Sequence, residues 1–274
     1  MTTARIGSPL RAMARLSCYL GFTLCAMPLQ AVALILRLPL RNALPRWYHR
    51  QCCRLLGIRV ERRGRQSRDR PTLYVANHSS YLDIPVLGSL VAGSFVAKAE
   101  VAQWFLYGLL AKMQRTVFVQ RRIRRTAEQR DALSERLEEG DCLILFPEGT
   151  SDDGNRVLPF KSALLSVAES RPDERPLTVQ PVSVTYARLD GLPLGRHLRP
   201  LFTWFGDMEM APHMWRLAGI GRLTVVVRFH PVVTLDDFGT RKALADHCHA
   251  QVAQGMAQAL SGRPQEPAER REAA

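Results

Sequence analysis

The stretch Thr72-Leu73-Tyr74-Val75-Ala76-Asn77-His78-Ser79-Ser80-Tyr81-Leu82-Asp83-Ile84-Pro85 decides how this chain is read. Residues 72–76 are apolar enough on both faces to be a buried strand. Pro85 marks the first turn of a helix, the one helical position where proline is tolerated. A strand running through a polar loop into a helix is the start of an α/β unit. His78 and Asp83 are five positions apart. On a helix they would point roughly 140° from each other, so they cannot share one helical face. His78 is therefore expected in the loop and Asp83 near the helix start. A carboxylate there fixes the histidine tautomer and stabilises the imidazolium, the requirements of a general base. The plainer alternative makes Asp83 a helix N-cap and His78 a loop residue, and these residues alone do not separate the two.

Outward from this stretch the same alternation continues. Further strands are expected at Ser94–Ala97, Thr116–Gln120, Cys142–Phe146, Thr178–Thr185 and Arg222–Phe229. Helices are expected near Pro85–Val91, Val101–Lys112, Arg125–Glu139 and Ser162–Ser170. The pattern predicts an α/β domain with a central, largely parallel sheet flanked by helices. Residues 1–60 read as a membrane-embedded or interfacial helical segment, 61–70 as a basic linker, 71–260 as the catalytic-size domain and 261–274 as a disordered tail.

The N-terminal run Leu16–Leu36 carries no charge. Its 21 residues would extend about 31 Å as a helix, enough to cross a bilayer. A signal peptide would use the cleavage-like Ala31-Val32-Ala33, but the apolar run continues past it. Arginines on both flanks give a spanning helix no orientation. The favoured reading is a helix kinked at Pro28 that dips into one leaflet and returns. Trp47, Tyr48, Cys52, Cys53, Leu55 and Leu56 then form an amphipathic return with Arg50 and Arg54 on its wet side.

A net charge of +13 over 274 residues implies an anionic partner. Nucleic acid fits the charge, but no nucleic-acid module accompanies it. The six cysteines show neither CxxC spacing nor a disulfide framework and read as reduced, small hydrophobes. His247-Cys248-His249 lacks companion ligands and reads as a solvated helix face, so no metal is expected. No cofactor is expected either.

The strand Cys142–Phe146 leads directly into Pro147-Glu148-Gly149-Thr150. A carboxylate, a glycine and a hydroxyl at a strand's carboxyl end lie where open α/β sheets hold their ligands. Val117-Phe118-Val119 ends in Gln120-Arg121-Arg122 on what should be the same edge. With these blocks placed, the sequence resembles the glycerolipid acyltransferase family, of the 1-acylglycerol-3-phosphate acyltransferase type. The histidine, four residues and aspartate of its first block match His78 and Asp83. Arg121 matches its second block, Phe146–Thr150 its third and Pro181 its fourth.

The resemblance implies an enzyme in which His78, oriented by Asp83, deprotonates a lysolipid hydroxyl that attacks an acyl thioester directly. Arg121, Glu148, Gly149, Thr150, Ser151 and Asp152 would bind the acceptor. Lys98 and the amides near Ser79–Ser80 are candidates for stabilising the oxyanion or touching the donor. The donor would be an acyl carrier protein or coenzyme A thioester, and the place the inner membrane with the active site facing the cytoplasm. Arg62, Arg63, Arg65, Arg68 and Arg70 would hold the linker against anionic lipid. Arg122, Arg124 and Arg125 would dock an acidic carrier.

One departure bears on the acceptor. Where members acting on lysophosphatidate continue the third block with arginine and serine, this chain has Ser151-Asp152-Asp153-Gly154. Loss of the arginine weakens a grip on a phosphate monoester. The block through Lys161, with Ser94–Val101 and Gln114–Val119, is more similar to the branch that acylates lyso-ornithine lipid. An amino-acid head carries an ammonium, for which Asp152 or Asp153 is a sensible partner; a solvated turn beside Gly154 is the plainer role. The alternatives are a 1-acylglycerol-3-phosphate acyltransferase and, in another class, a non-catalytic lipid- or carrier-binding protein. The apolar segment Leu201–Trp215 reads as core or as the wall of an acyl tunnel.

Overall fold

The computed structural model describes residues 7–119 and 133–261. Arg121, Arg122, Arg124, Arg125 and the tail beyond Ser261 lie outside the described residues. Eight strands form one sheet among them: β1 (Ile58–Arg63), β2 (Thr72–Ala76), β3 (Gly93–Lys98), β4 (Val117–Val119), β5 (Cys142–Leu145), β6 (Thr178–Leu189), β7 (Leu192–Pro193) and β8 (Leu223–Phe229). The helices are α1 (Pro9–Ile35), α2 (Leu40–Leu55), α3 (Asp83–Leu90), α4 (Tyr107–Met113), the described turns 133–138 as α5, α6 (Met210–Gly219) and α7 (Arg241–Leu260).

The spatial order is β1-β8-β6-β2-β5-β3-β4, with β7 paired to β6. The strands from β6 to β4 run parallel, β8 is antiparallel to β6, and β1 is parallel to β8. The largely parallel sheet is therefore as expected, and both its faces are covered. In β2, Leu73 and Val75 enter one apolar core while Tyr74 and Ala76 enter the other. That two-sided burial is why the strand reads as a continuous apolar run. Helices α1, α2, α3 and α6 lie on the Tyr74 side; α7 and the 3-10 segment Ser162–Glu169 lie on the Leu73 side.

Pro181 sits mid-chain in β6 opposite Val75. Its carbonyl, which accepts from the His230 N–H at 3.0 Å, faces the β8 side, where strand pairing has ended at Val182 and Phe229. The missing donor of proline thus breaks no ladder bond.

The structure departs from the expected boundaries in several places. Residues 58–63, read partly as linker, form β1, in which Ile58 is buried and Arg59 and Arg62 are exposed. The segment that follows is bound to the sheet: Gln180 accepts from the Ser67 N–H at 2.8 Å and donates to the Arg65 carbonyl at 2.9 Å. The compact body thus begins before Pro71. The helix expected over Val101–Lys112 is split, with a 3-10 turn at Ala99–Gln103 and α4 separated by Leu106 at φ +59°. Helix α1 continues through Pro28, and the chain reverses at residues 36–39 instead. The return is α2, whose Trp47 and Tyr48 meet Phe22 of α1 at ring separations of 5.4 and 5.5 Å. Arg50 is not on a wet side: it donates to the Ser89 carbonyl at the end of α3 at 3.0 Å. Cys248, placed on a solvated face from sequence, is fully buried in α7 between half-buried His247 and His249.

The start of α1 is fastened to the catalytic body. Nη1 of Arg15 donates to the carbonyls of Ala218, Ile220 and Gly221 at 3.1, 2.7 and 3.3 Å. These carbonyls belong to the last turn of α6 and to the two residues that follow it. The rest of α1 shows Leu20, Leu24, Leu29, Val32 and Ile35 to the outside. By length and composition it is the one described helix able to cross a membrane.

Candidate active site

The parallel strands bring the carboxyl ends of β2, β3 and β5 to one edge, and each leads into a segment of the site. After β2, Asn77 locks the chain to β6: its Nδ2 donates to the Val184 carbonyl at 2.9 Å, and its Oδ1 accepts from the Val184 N–H at 2.8 Å. The next residues are held through their backbones. The His78 N–H donates to Oε1 of Glu148 at 2.8 Å, the His78 carbonyl accepts from the Asp152 N–H at 3.3 Å, and the Ser79 carbonyl accepts from the Trp204 N–H at 2.9 Å. Three separate segments thereby fix where His78 points.

Asp83 is the first residue of α3 and is wholly buried. Its carboxylate collects four donors. Oδ2 lies 2.8 Å from Nδ1 of His78 and accepts the Ser79 and Ser80 N–H groups at 2.7 and 2.9 Å, while Oδ1 accepts the Tyr186 hydroxyl at 2.6 Å. Such a carboxylate is an acceptor only, so Nδ1 carries the proton and Nε2 presents a lone pair. Burial first, and the Asp83 charge second, hold the Tyr186 hydroxyl well above its ordinary range, so it stays a donor. The His78 ring stacks on Phe146 at 4.3 Å and 22°, which fixes its plane. The N-cap alternative is thereby set aside: Leu82 is the cap residue, and Asp83 binds the histidine.

The Ser79 and Ser80 amides, expected among the oxyanion donors, both end on Asp83 and do not face a ligand. Tyr186→Phe is expected to strand Oδ1 without a donor and to lower stability by about 1–3 kcal/mol, readable by chemical denaturation. An unchanged midpoint would show that the hydroxyl is dispensable.

Glu148 also differs from its expected place. Its side chain is 2 % exposed and turned into the protein, where Oε1 holds the His78 N–H and Oε2 the Leu158 N–H at 3.1 Å. Burial pushes its carboxyl up to about 8 against the pull of those two donors, with the charges of Asp83 and Asp152 adding to the rise. Glu148 therefore positions the histidine loop and does not reach an acceptor. Gly149 follows at φ +67°, a left-handed turn natural to glycine. Gly154 has φ +74°, and a Cβ there would stand 2.7 Å from the Thr203 methyl. The acid pair between them forms a self-contained turn. Asp152 accepts from Nε of Arg156 at 2.9 Å, and Asp153 accepts from the Asn155 N–H and Nδ2, each at 2.9 Å.

His78 opens onto a cavity of about 770 Å³. It runs from His78, Phe146 and Thr150 to Met27 of α1 and Leu44 of α2, so the N-terminal hairpin supplies one of its walls. Gly149, Thr150, Ser151 and Lys98 line it, whereas Glu148 and Asp152 do not. The Leu201–Trp215 segment serves both roles: Phe202 and Thr203 are buried core, and Trp204, Met210 and Met214 line the cavity. The linker arginines sit elsewhere. The β1 carboxyl end and the β2 start share the sheet edge opposite His78, so Arg65, Arg68 and Arg70 do not join the site.

Sequence reasoning missed Tyr186, which is 103 positions from its partner Asp83. Alternation along β6 marks it as buried, but nothing in the sequence ties it to that carboxylate.

The fold and the histidine–aspartate pair fit an acyltransferase, and similarity to known proteins assigns the chain to that class. The family model described as Acyltransferase matches residues 57–185, and the chain belongs to that family. It is 40 % identical over 265 residues to a lyso-ornithine lipid O-acyltransferase of Brucella abortus (strain 2308), covering 95 % of this chain and 97 % of that one. The enzyme of the same description from Rhizobium meliloti (strain 1021) is 40 % identical over 245 residues, 88 % of this chain and 84 % of that one. A 1-acyl-sn-glycerol-3-phosphate acyltransferase of Neisseria gonorrhoeae is 32 % identical over 194 residues, 70 % of this chain and 71 % of that one. The fold matches the crystal structure of the 1-acyl-sn-glycerophosphate acyltransferase from Thermotoga maritima, with a TM-score of 0.66 at 23 % identity over 93 % of this chain and 100 % of that one.

Proposed function

We propose that this acyltransferase moves a fatty acyl group from a thioester to the hydroxyl of a lyso-ornithine lipid at a membrane surface. The observation that carries the chemistry is the His78–Asp83 pair, whose Nε2 is left as a base at the head of an apolar cavity. Nε2 takes the hydroxyl proton as the oxygen attacks the thioester carbonyl carbon. The tetrahedral intermediate collapses, the carbon–sulfur bond breaks, and the thiolate recovers the proton from His78. Lys98, lining the cavity at the end of β3, is the cation assigned to the developing oxyanion or the donor. Gly149, Thr150 and Ser151 contact the acceptor, and Arg121 joins them on the strength of the sequence pattern alone. The cavity between hairpin and sheet takes an acyl chain.

Two observations support the choice of acceptor: identity to the two lyso-ornithine lipid enzymes, and Ser151 where a phosphate-gripping arginine would stand. The exposed apolar face of α1, continued by Trp47, Phe105 and Leu109, supports immersion in the membrane next to the site. Because acyl carrier protein and coenzyme A thioesters are cytoplasmic compounds, we assign the enzyme to the cytoplasmic face of the inner membrane. Purified protein given one acyl thioester and either lysolipid tests the reading. Lyso-ornithine lipid should be preferred over lysophosphatidate by at least about tenfold in kcat/KM, equivalent to 1.4 kcal/mol. Equal or better turnover of lysophosphatidate would overturn it in favour of a 1-acylglycerol-3-phosphate acyltransferase.

A further inference from the structure

Helix α4 stands between the cavity and the outside, and it is apolar on both sides. Tyr107, Leu110 and Ala111 line the cavity, whereas Leu109 is 48 % exposed on the outer side. Phe105, just before the helix, is 95 % exposed, more than any other large apolar side chain among the described residues. Trp104 beside it is exposed as well as cavity-lining, which places it at the mouth, and it meets Trp204 edge to face at 6.0 Å. A helix apolar all round is ordinarily covered on every side, and the protein itself covers only one side of α4.

The backbone is committed to showing Phe105. Leu106 has φ +59° and ψ −50°, and the Tyr107 N–H donates to the Phe105 carbonyl at 2.7 Å, closing the rare γ-turn of positive φ. A leucine in that conformation is strained, and such strain gathers where binding is done. Gly108 lets the chain double back at once: a Cβ on it would stand 2.4 Å from the Ala102 carbonyl oxygen. The far end of α4 is tied to the N-terminal hairpin, where Nε2 of Gln30 in α1 donates to the Met113 carbonyl at 2.9 Å. The outward leucines of α1 and the Phe105 face are therefore parts of one joined apolar surface.

We propose that Phe105, with Trp104 and Leu109, is a lip sunk into the lipid leaflet, over which the lysolipid acceptor passes from the membrane into the cavity and on to His78. The partner is the lipid surface itself. An insoluble acceptor then reaches the base without crossing water. The proposal rests on the acyl-transfer reading above and adds a delivery role to residues outside the catalytic pair.

The test sets wild type against Phe105→Asp on two acceptors: long-chain lyso-ornithine lipid held in phosphatidylethanolamine–phosphatidylglycerol vesicles, and a short-chain analogue dissolved as monomers. Phe105 is exposed, so the substitution removes no core packing, and kcat on the dissolved acceptor reports folding. A carboxylate carried into the leaflet is costly. The variant should raise KM for the vesicle-held acceptor about tenfold, equivalent to 1.4 kcal/mol, and leave KM and kcat for the dissolved one within about twofold. Phe105→Leu should stay close to wild type on both, because the role needs an apolar side chain and not a ring. A vesicle KM that does not rise in Phe105→Asp would overturn the proposal and give this face to a protein partner. So would an equal rise on both acceptors, which reports a reshaped cavity. If wild type acylates neither acceptor, the acyl-transfer reading itself fails and the delivery role falls with it.

Discussion

Replacing His78 with alanine is expected to lower kcat for acyl transfer by about 10³-fold, within the range of 10² to 10⁴ attributed to a positioned general base. The reason is geometric. Nδ1 is committed to Asp83, so all proton transfer falls to Nε2, and the stack on Phe146 holds the ring at the cavity. The substitution is also clean. The His78 side chain is 24 % exposed, and Asp83 keeps the Ser79, Ser80 and Tyr186 donors when the ring is gone. Thermal unfolding should therefore stay close to that of wild type while turnover collapses. Acyl transfer undiminished in the purified variant would sink the base assignment. Asp83→Asn is a poorer test, because its amide would set N–H groups against donors already in place.

The second large effect is expected from Glu148→Gln. Glutamine keeps one acceptor oxygen and turns an amide nitrogen toward the other backbone N–H, either that of His78 or that of Leu158. An orphaned buried donor costs about 1–3 kcal/mol. Displacement of the His78 backbone should also lower kcat, by roughly 10–100-fold if the ring moves by about 1 Å. The effect carries a pH signature. The folded carboxyl titrates near 8, well above its ordinary value near 4.5. A group raised in this way contributes stability that is fully present below its unfolded pKa and is lost as pH rises through about 8. The stability gap between wild type and Glu148→Gln should therefore be widest near pH 5 and narrow toward pH 9. Denaturation midpoints at both pH values check this. A gap that widens with pH would mean that the two amides stabilise the ionised form more than burial opposes it.

Much of this was legible because the chemistry that drives burial is written in runs. Strands β2 and β5 are apolar on both faces, and His78, Asp83 and Phe146–Thr150 follow their ends, so both the parallel sheet and the neighbourhood of the site could be read. What escaped was of four physical kinds. Strand β1 lies at the sheet edge and carries Arg59, Glu61, Arg62 and Arg63, so its composition looks like solvated linker. Helix α7 buries Leu244, Ala245, Cys248, Val252, Gly255 and Met256, a stripe in which small residues stand between the large ones and two histidines flank Cys248. The direction of the Glu148 side chain is set by the Gly149 turn and by a backbone amide ten residues on, neither of which a motif encodes. The break at Leu106 depends on a single left-handed residue inside an otherwise periodic segment.

The hairpin of α1 and α2 is a wall of the reaction chamber as well as an apolar surface, with Tyr19, Met27, Leu44 and Tyr48 facing the same space as His78. Arg15 bolts that wall to α6. Trimming residues ahead of β1 to obtain a soluble fragment would accordingly flood the chain-binding side of the pocket. Any search for detergent-free versions of this enzyme should recolour the outward leucines of α1 and leave its inward face alone.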